Sequence, residues 1–76
     1  MRDKIRLFLS KNKNIDMLSD DDDLFKNGFA DSLFALQLIM FLEREYKIRI
    51  PDKKINEDNF RSVNAIINTL TSILKD

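Results

Sequence analysis

The stretch Asp31-Ser32-Leu33-Phe34-Ala35-Leu36-Gln37-Leu38-Ile39-Met40-Phe41-Leu42-Glu43-Arg44-Glu45-Tyr46-Lys47 decides the fold. It opens on Asp31 and Ser32, either of which is a good helix N-cap. From Leu33 to Lys47 it holds no Gly, no Pro and, apart from Ile39, no β-branched residue, so nothing in it opposes a helix. At about 100° per residue, Ala35, Leu38, Ile39, Leu42 and Tyr46 share one face, with Gln37 and Arg44 nearly opposite. Leu33, Phe34, Met40 and Phe41 flank the outer side, a surplus over what a one-faced surface helix requires.

Upstream, Ile5, Phe8 and Leu9 recur at i, i+3, i+4 and predict a first helix over about residues 2 to 13, ended by Asn12 to Asn14. Between the two helices, Leu18, Leu24 and Phe25 are expected to fold back onto the core, because a long loop in so short a chain needs apolar anchors. Downstream, Pro51 stops regular structure after Ile48-Arg49-Ile50, and Asp52 to Phe60 reads as a loop with one short helical turn. Ser62 then caps a last helix whose Val63, Ile66, Ile67, Leu70, Ile73 and Leu74 keep helical spacing. The expectation is an all-α bundle of three main helices and a short one, occupying residues 1–76 as a single domain.

Composition narrows the function. Thirteen Lys and Arg against thirteen Asp and Glu give zero net charge, which argues against a nucleic-acid partner. Along the chain the balance is uneven: residues 1–13 carry +4, 14–31 carry −5, 32–54 carry +2 and 55–76 carry −1. With no Cys, His or Trp, the chain offers neither thiolate nor imidazole, no disulfide and no Cys/His zinc site. Its longest apolar run, Leu38 to Leu42, is far below the roughly 20 residues that span a bilayer, so a soluble, cytoplasmic protein with no membrane partner is expected.

Two groups of residues invite a chemical reading. The run Asp20 to Asp23 suggests calcium, but an EF-hand loop opening at Asp20 or Asp21 needs Gly at its sixth position and Glu at its twelfth. Those positions hold Phe25 or Lys26, and Asp31 or Ser32, so the run reads as a solvated acidic loop and no metal site is assigned. Ser32 has no His or Cys to activate it as a nucleophile, and an Asp-Ser pair before an apolar helix is ordinarily just a cap. Its context adds something: Gly28 gives a flexible approach, and the amides and dipole of the helix favour a negative group on Ser32. A phosphate ester suits that position.

The order and spacing of Asp23-Leu24-Phe25, Gly28, Asp31-Ser32-Leu33, the helix Phe34 to Tyr46, Ile48-Arg49-Ile50-Pro51 and Asn59-Phe60-Arg61-Ser62-Val63 resemble the acyl carrier protein family, the phosphopantetheine-binding carriers. The resemblance covers essentially the whole chain and implies an acyl-carrier-like four-helix bundle that is not an enzyme. It implies that Ser32 is the attachment point of the 4′-phosphopantetheine arm of coenzyme A, installed by a Mg²⁺-dependent phosphopantetheinyl transferase. Asp31 and Leu33 would position Ser32 and contact that transferase, while Phe34, Gln37, Met40, Phe41 and Arg44 would form a partner-recognition face. Expected partners are an acyl- or aminoacyl-activating loading enzyme and a downstream dehydrogenase, acyltransferase or synthase, all served by a monomeric carrier.

The chain departs from the commonest fatty-acid carriers in two ways. Gly28 and Ser32 are separated by one extra residue, and the helix after Ser32 is apolar and neutral where those carriers are strongly acidic. Both departures are similar to freestanding carriers that hold unusual extender units, such as alkoxymalonyl or aminomalonyl groups, for polyketide or mixed peptide assembly. D-alanyl and other aminoacyl carriers share the longer spacing and compete with that reading, as does a fatty-acid carrier. An unmodified helical interaction module is the alternative of another class. Phe34 and Phe41 have a bland alternative too, packing beneath the first loop; Leu36, Met40 and Ile55 are either core or the resting place of the arm and its cargo.

Overall fold

The spacing of Ile5, Phe8 and Leu9 forms helix α1 (Arg2–Ser10) in the computed structural model, which describes residues 1–11 and 14–75. It is shorter than expected. The Ser10 hydroxyl donates to the Leu7 carbonyl at 2.6 Å and the Lys11 amide turns back to Phe8, so the last turn closes on itself. Asn12 and Lys13, where the expected end fell, lie outside the described residues.

Helix α2 (Ser32–Tyr46) starts where its sequence demands: the extended Asp31 is the N-cap, and its carboxylate accepts the Phe34 amide at 2.8 Å. It stops at Lys47, a non-glycine residue at φ 53 whose amide donates to the Glu43 carbonyl. Glu43 also accepts the Ile48 amide on its carbonyl and, at 2.9 Å, the Ile50 amide on its carboxylate. One residue thereby turns the chain so that Ile50 enters the core.

Beyond Pro51 a 3₁₀ turn (Asp52–Lys54) precedes α3 (Glu57–Phe60). Two short turns replace the single one expected because Asn56 provides a second start signal, its side chain accepting the Asn59 amide. Helix α4 (Val63–Lys75) is capped as anticipated, the Ser62 hydroxyl accepting the Ala65 amide at 3.0 Å. Val63, Ile66 and Leu70 are fully buried, whereas Leu74 stays half exposed beyond the end of the core. Thr69 is buried in its stead, and its hydroxyl donates back to the Ala65 carbonyl at 2.9 Å.

The long loop before α2 is anchored as predicted, with Leu18 and Leu24 buried and Phe25 packed against the core. Its acidic run is not simply solvated. The Asp20 carboxylate bonds Arg6 at 2.8 Å and Arg2 at 3.4 Å, and its carbonyl accepts the Asn64 amide in the first turn of α4. Asp21 accepts from the Asn64 side chain, Asp22 from the Ser19 amide, and Asp23 from the amides of Phe25 and Lys26. The negative block thus joins basic α1 to the positive end of the α4 dipole.

The surplus on α2 resolves into an aromatic cluster. The Phe8 ring of α1 lies 5.5 Å from that of Phe34 and stacks at 4.6 Å on that of Phe41. Phe34 is only 7% exposed, so it is core and not part of a free recognition face, and Phe41 is half buried. A lone helix would leave both side chains wet; α1 crosses over them.

These contacts set expectations for stability. Phe34→Ala should lower it by about 3 kcal/mol, a large share of what this chain length supports, while Leu33→Ala should change it by under about 0.5 kcal/mol, both read by urea unfolding. The Tyr46 hydroxyl is buried with no hydrogen-bond partner among the described residues, so Tyr46→Phe should gain about 1 kcal/mol. Burial pushes the Tyr46 phenol above its ordinary value of 10.0, the nearby Lys4 opposing and Glu45 reinforcing the shift. The folded form therefore holds this proton more tightly, its stability falls as pH rises past about 10, and Tyr46→Phe should flatten that fall.

Candidate functional site

The approach to Ser32 is built by backbone bonds around Leu24. Asp23 caps the turn that begins at Leu24, the Asn27 amide closes it on the Asp23 carbonyl, and Gly28 takes the left-handed conformation at φ 78 that reverses the chain. The amides of Phe29 and Ala30 then return to the Leu24 carbonyl at 2.8 and 3.1 Å, and Ala30 is buried. The chain emerges at Asp31 aligned to enter α2.

Ser32 occupies the first helical position of α2 and is exposed. Its hydroxyl has no hydrogen-bond partner among the described residues. The Asp31 carboxylate is committed to Phe34, and the Ala35 amide to the Asp31 carbonyl, which leaves the amides of Ser32 and Leu33 without a partner in the first turn among the described residues. With no His or Cys in the chain, the hydroxyl has no imidazole or thiolate to activate it. The arrangement suits a serine presented for modification, with amides and helix dipole ready to stabilise an added negative charge.

Beside Ser32 opens a groove of about 580 Å³ between the first half of α2 and the segment running into α3. Leu36, Ile39, Ile55, Phe25 and Phe60 make its apolar walls, and Asp31, Asn56 and Glu57 its polar lip. Leu36 and Ile55 thus line this groove; Met40 does not, standing exposed outside it. Among the described residues no group of three acidic, His or Cys side chains could hold a metal ion, and no helix is long and apolar enough to cross a membrane.

Of the side chains expected to meet partners, Gln37, Met40 and Arg44 are exposed, while Phe34 is buried and Phe41 half buried. Leu33 and Leu36, 65% and 55% exposed, form an outward apolar row with Met40. That row was readable as i, i+3, i+7 from Leu33, but without α1 in place nothing in the spacing said which apolar stripe would remain outside. Asn56 and Glu57 were missed as groove residues because only the tertiary fold brings them near Ser32.

Comparison with known proteins bears on this arrangement. The family described as phosphopantetheine attachment site matches residues 3–70. The D-alanyl carrier protein of Leuconostoc mesenteroides is 32% identical over 54 residues, 71% of this chain and 69% of its own length. That of Streptococcus sanguinis is 34% identical over 53 residues, 70% and 67% of the respective chains. Since the match runs from α1 into α4, through every element that builds the Ser32 loop and its groove, the chain belongs to the acyl carrier protein family, as a non-catalytic carrier with covalently attached 4′-phosphopantetheine.

Proposed function

We propose that Ser32 bears the arm, that residues 1–76 work as one carrier domain, and that the cargo is an aminoacyl group, with D-alanine the first candidate. The observation that carries the attachment is the exposed Ser32 hydroxyl at the start of α2, free of any partner among the described residues and flanked by unused amides. The residues fit the group: the two amides suit a phosphodiester, and the adjoining groove offers an apolar wall to the pantetheine chain beyond it. When bound, the arm supplies the thiol this chain lacks, for holding acyl groups as thioesters.

The chain's own part is positional. Asp31 holds Ser32 in place by capping α2, and because that carboxylate is engaged with Phe34, removal of the serine proton falls to the phosphopantetheinyl transferase. The relatives are D-alanyl carriers, which favours the aminoacyl reading. The extender-unit pathway expected from the sequence draws no support from those relatives.

Partners that reach Ser32 are proposed to sit on the row Leu33, Leu36 and Met40, with Gln37 and Arg44 at its edge. From Ser32 to Leu42 the helix carries no charge, so apolar contact outweighs electrostatic steering here.

Incubation with coenzyme A and a broad-specificity transferase should add the mass of one phosphopantetheine, and Ser32→Ala should abolish the gain; a gain that survives the substitution refutes the assignment. The loaded protein should then be charged by a D-alanine-activating ligase and ATP; charging by a malonyl-type transferase instead would restore the extender-unit reading. Met40→Glu should slow ligase charging at least tenfold with unchanged helical content by circular dichroism, a loss of roughly 1.4 kcal/mol or more of partner contact. The wild-type rate should fall less than about threefold between low and physiological salt.

A further inference from the structure

The groove beside Ser32 has an unbalanced charge. Its lip carries two carboxylates, Asp31 and Glu57, and none of the residues that line it is cationic. Of the cations close by in the chain, Lys54 donates to the Ser72 hydroxyl at 3.4 Å and Arg61 pairs with Asp58 at 4.0 Å, while Lys26 and Lys53 are exposed and are not among the lining residues. Asp31 is itself occupied in capping α2, so its carboxylate has limited freedom to turn inward. Glu57 differs. It is exposed at the start of α3, beside Ile55 and Asn56, and has no ion-pair or side-chain hydrogen-bond partner among the described residues.

We propose that Glu57 selects the charge of the cargo, pairing with the α-ammonium of an aminoacyl group that folds back over Leu36 and Ile55, and repelling cargo that ends in a carboxylate. The inference rests on Ser32 as the attachment point and deepens the aminoacyl reading. Its physical basis is complementarity. A short aminoacyl group has a small apolar side chain for the wall and a cation for the lip, since α-amino groups remain protonated below about pH 7.7. A malonyl-type unit would bring a third negative charge to a lip that has no cation to receive it. A neutral acyl group would gain nothing from Glu57. The interaction is partly solvated, so its size is that of an exposed ion pair, a two- to five-fold change in groove occupancy, which is about 0.4 to 1 kcal/mol.

The test loads Ser32 in one step, by transferring the whole acyl-phosphopantetheine from D-alanyl-, N-acetyl-D-alanyl- or malonyl-coenzyme A, and confirms each product by intact mass. Methyl resonances of Leu36 and Ile55 are then compared with those of the unacylated carrier at about pH 6.5, below the ordinary α-amino range. The D-alanyl form should shift both residues, and the N-acetyl-D-alanyl and malonyl forms should shift them at least two-fold less. Glu57→Gln should reduce the D-alanyl shifts two- to five-fold, and Glu57→Asp, which keeps the charge, should restore most of them. Equal shifts from all three cargoes, or D-alanyl shifts unchanged in Glu57→Gln, overturn the proposal. Failure of the attachment reading is seen separately and earlier, as no mass gain with any of the three donors, and it overturns both.

Discussion

The structure around Ser32 depends on the burial of Leu24. Its side chain is wholly inside the core, its amide donates to the Arg61 carbonyl at 2.6 Å, and its carbonyl accepts two amides from the loop leading to α2. A single residue therefore satisfies the backbone on both sides of a turn that would otherwise bury unpaired polar groups. Because the Arg61 carbonyl lies immediately before the Ser62 cap, the same contact ties the start of α2 to the start of α4. Gly28 and Ala30 work within that frame, one by its positive φ and the other by its small buried side chain.

Electrostatics serves the fold before it serves function. The basic first helix and the acidic loop are charge partners within the molecule, joined through Arg6, Asp20 and Asn64. The pairs are at least partly exposed, so each contributes little alone, and their effect is to hold the loop in register against α1 and α4. With these charges used internally, the outward row of α2 is left neutral and the groove lip is left acidic. Zero net charge thus conceals a basic face committed to the fold and a small negative field next to Ser32.

Much of this was legible in the residues. The helix from Ser32, its Asp31 cap, the Ser62 cap, the anchors Leu18 and Leu24 and the fully buried row Val63, Ile66 and Leu70 all arise from local rules, since caps and amphipathic spacing act within one or two turns. Helix ends were less legible: the close of α1 at Ser10 and the extra turn at Asp52–Lys54 depend on hydrogen bonds that compete over a residue or two. Phe34 and Phe41 were least legible, because their placement is set by Phe8, a residue far away in the chain.

The sequence by itself determined the all-helical class, the family and the serine at the helix start, because order, spacing and capping chemistry are written in consecutive residues. Tertiary structure alone decided which apolar stripe of α2 stays in water, that the acidic run is a structural clamp, and that Glu57 shares a groove with Ser32. Those are contacts between segments distant in the chain. Their outcome rests on how α1, α3 and α4 cover α2, and no local periodicity encodes that geometry.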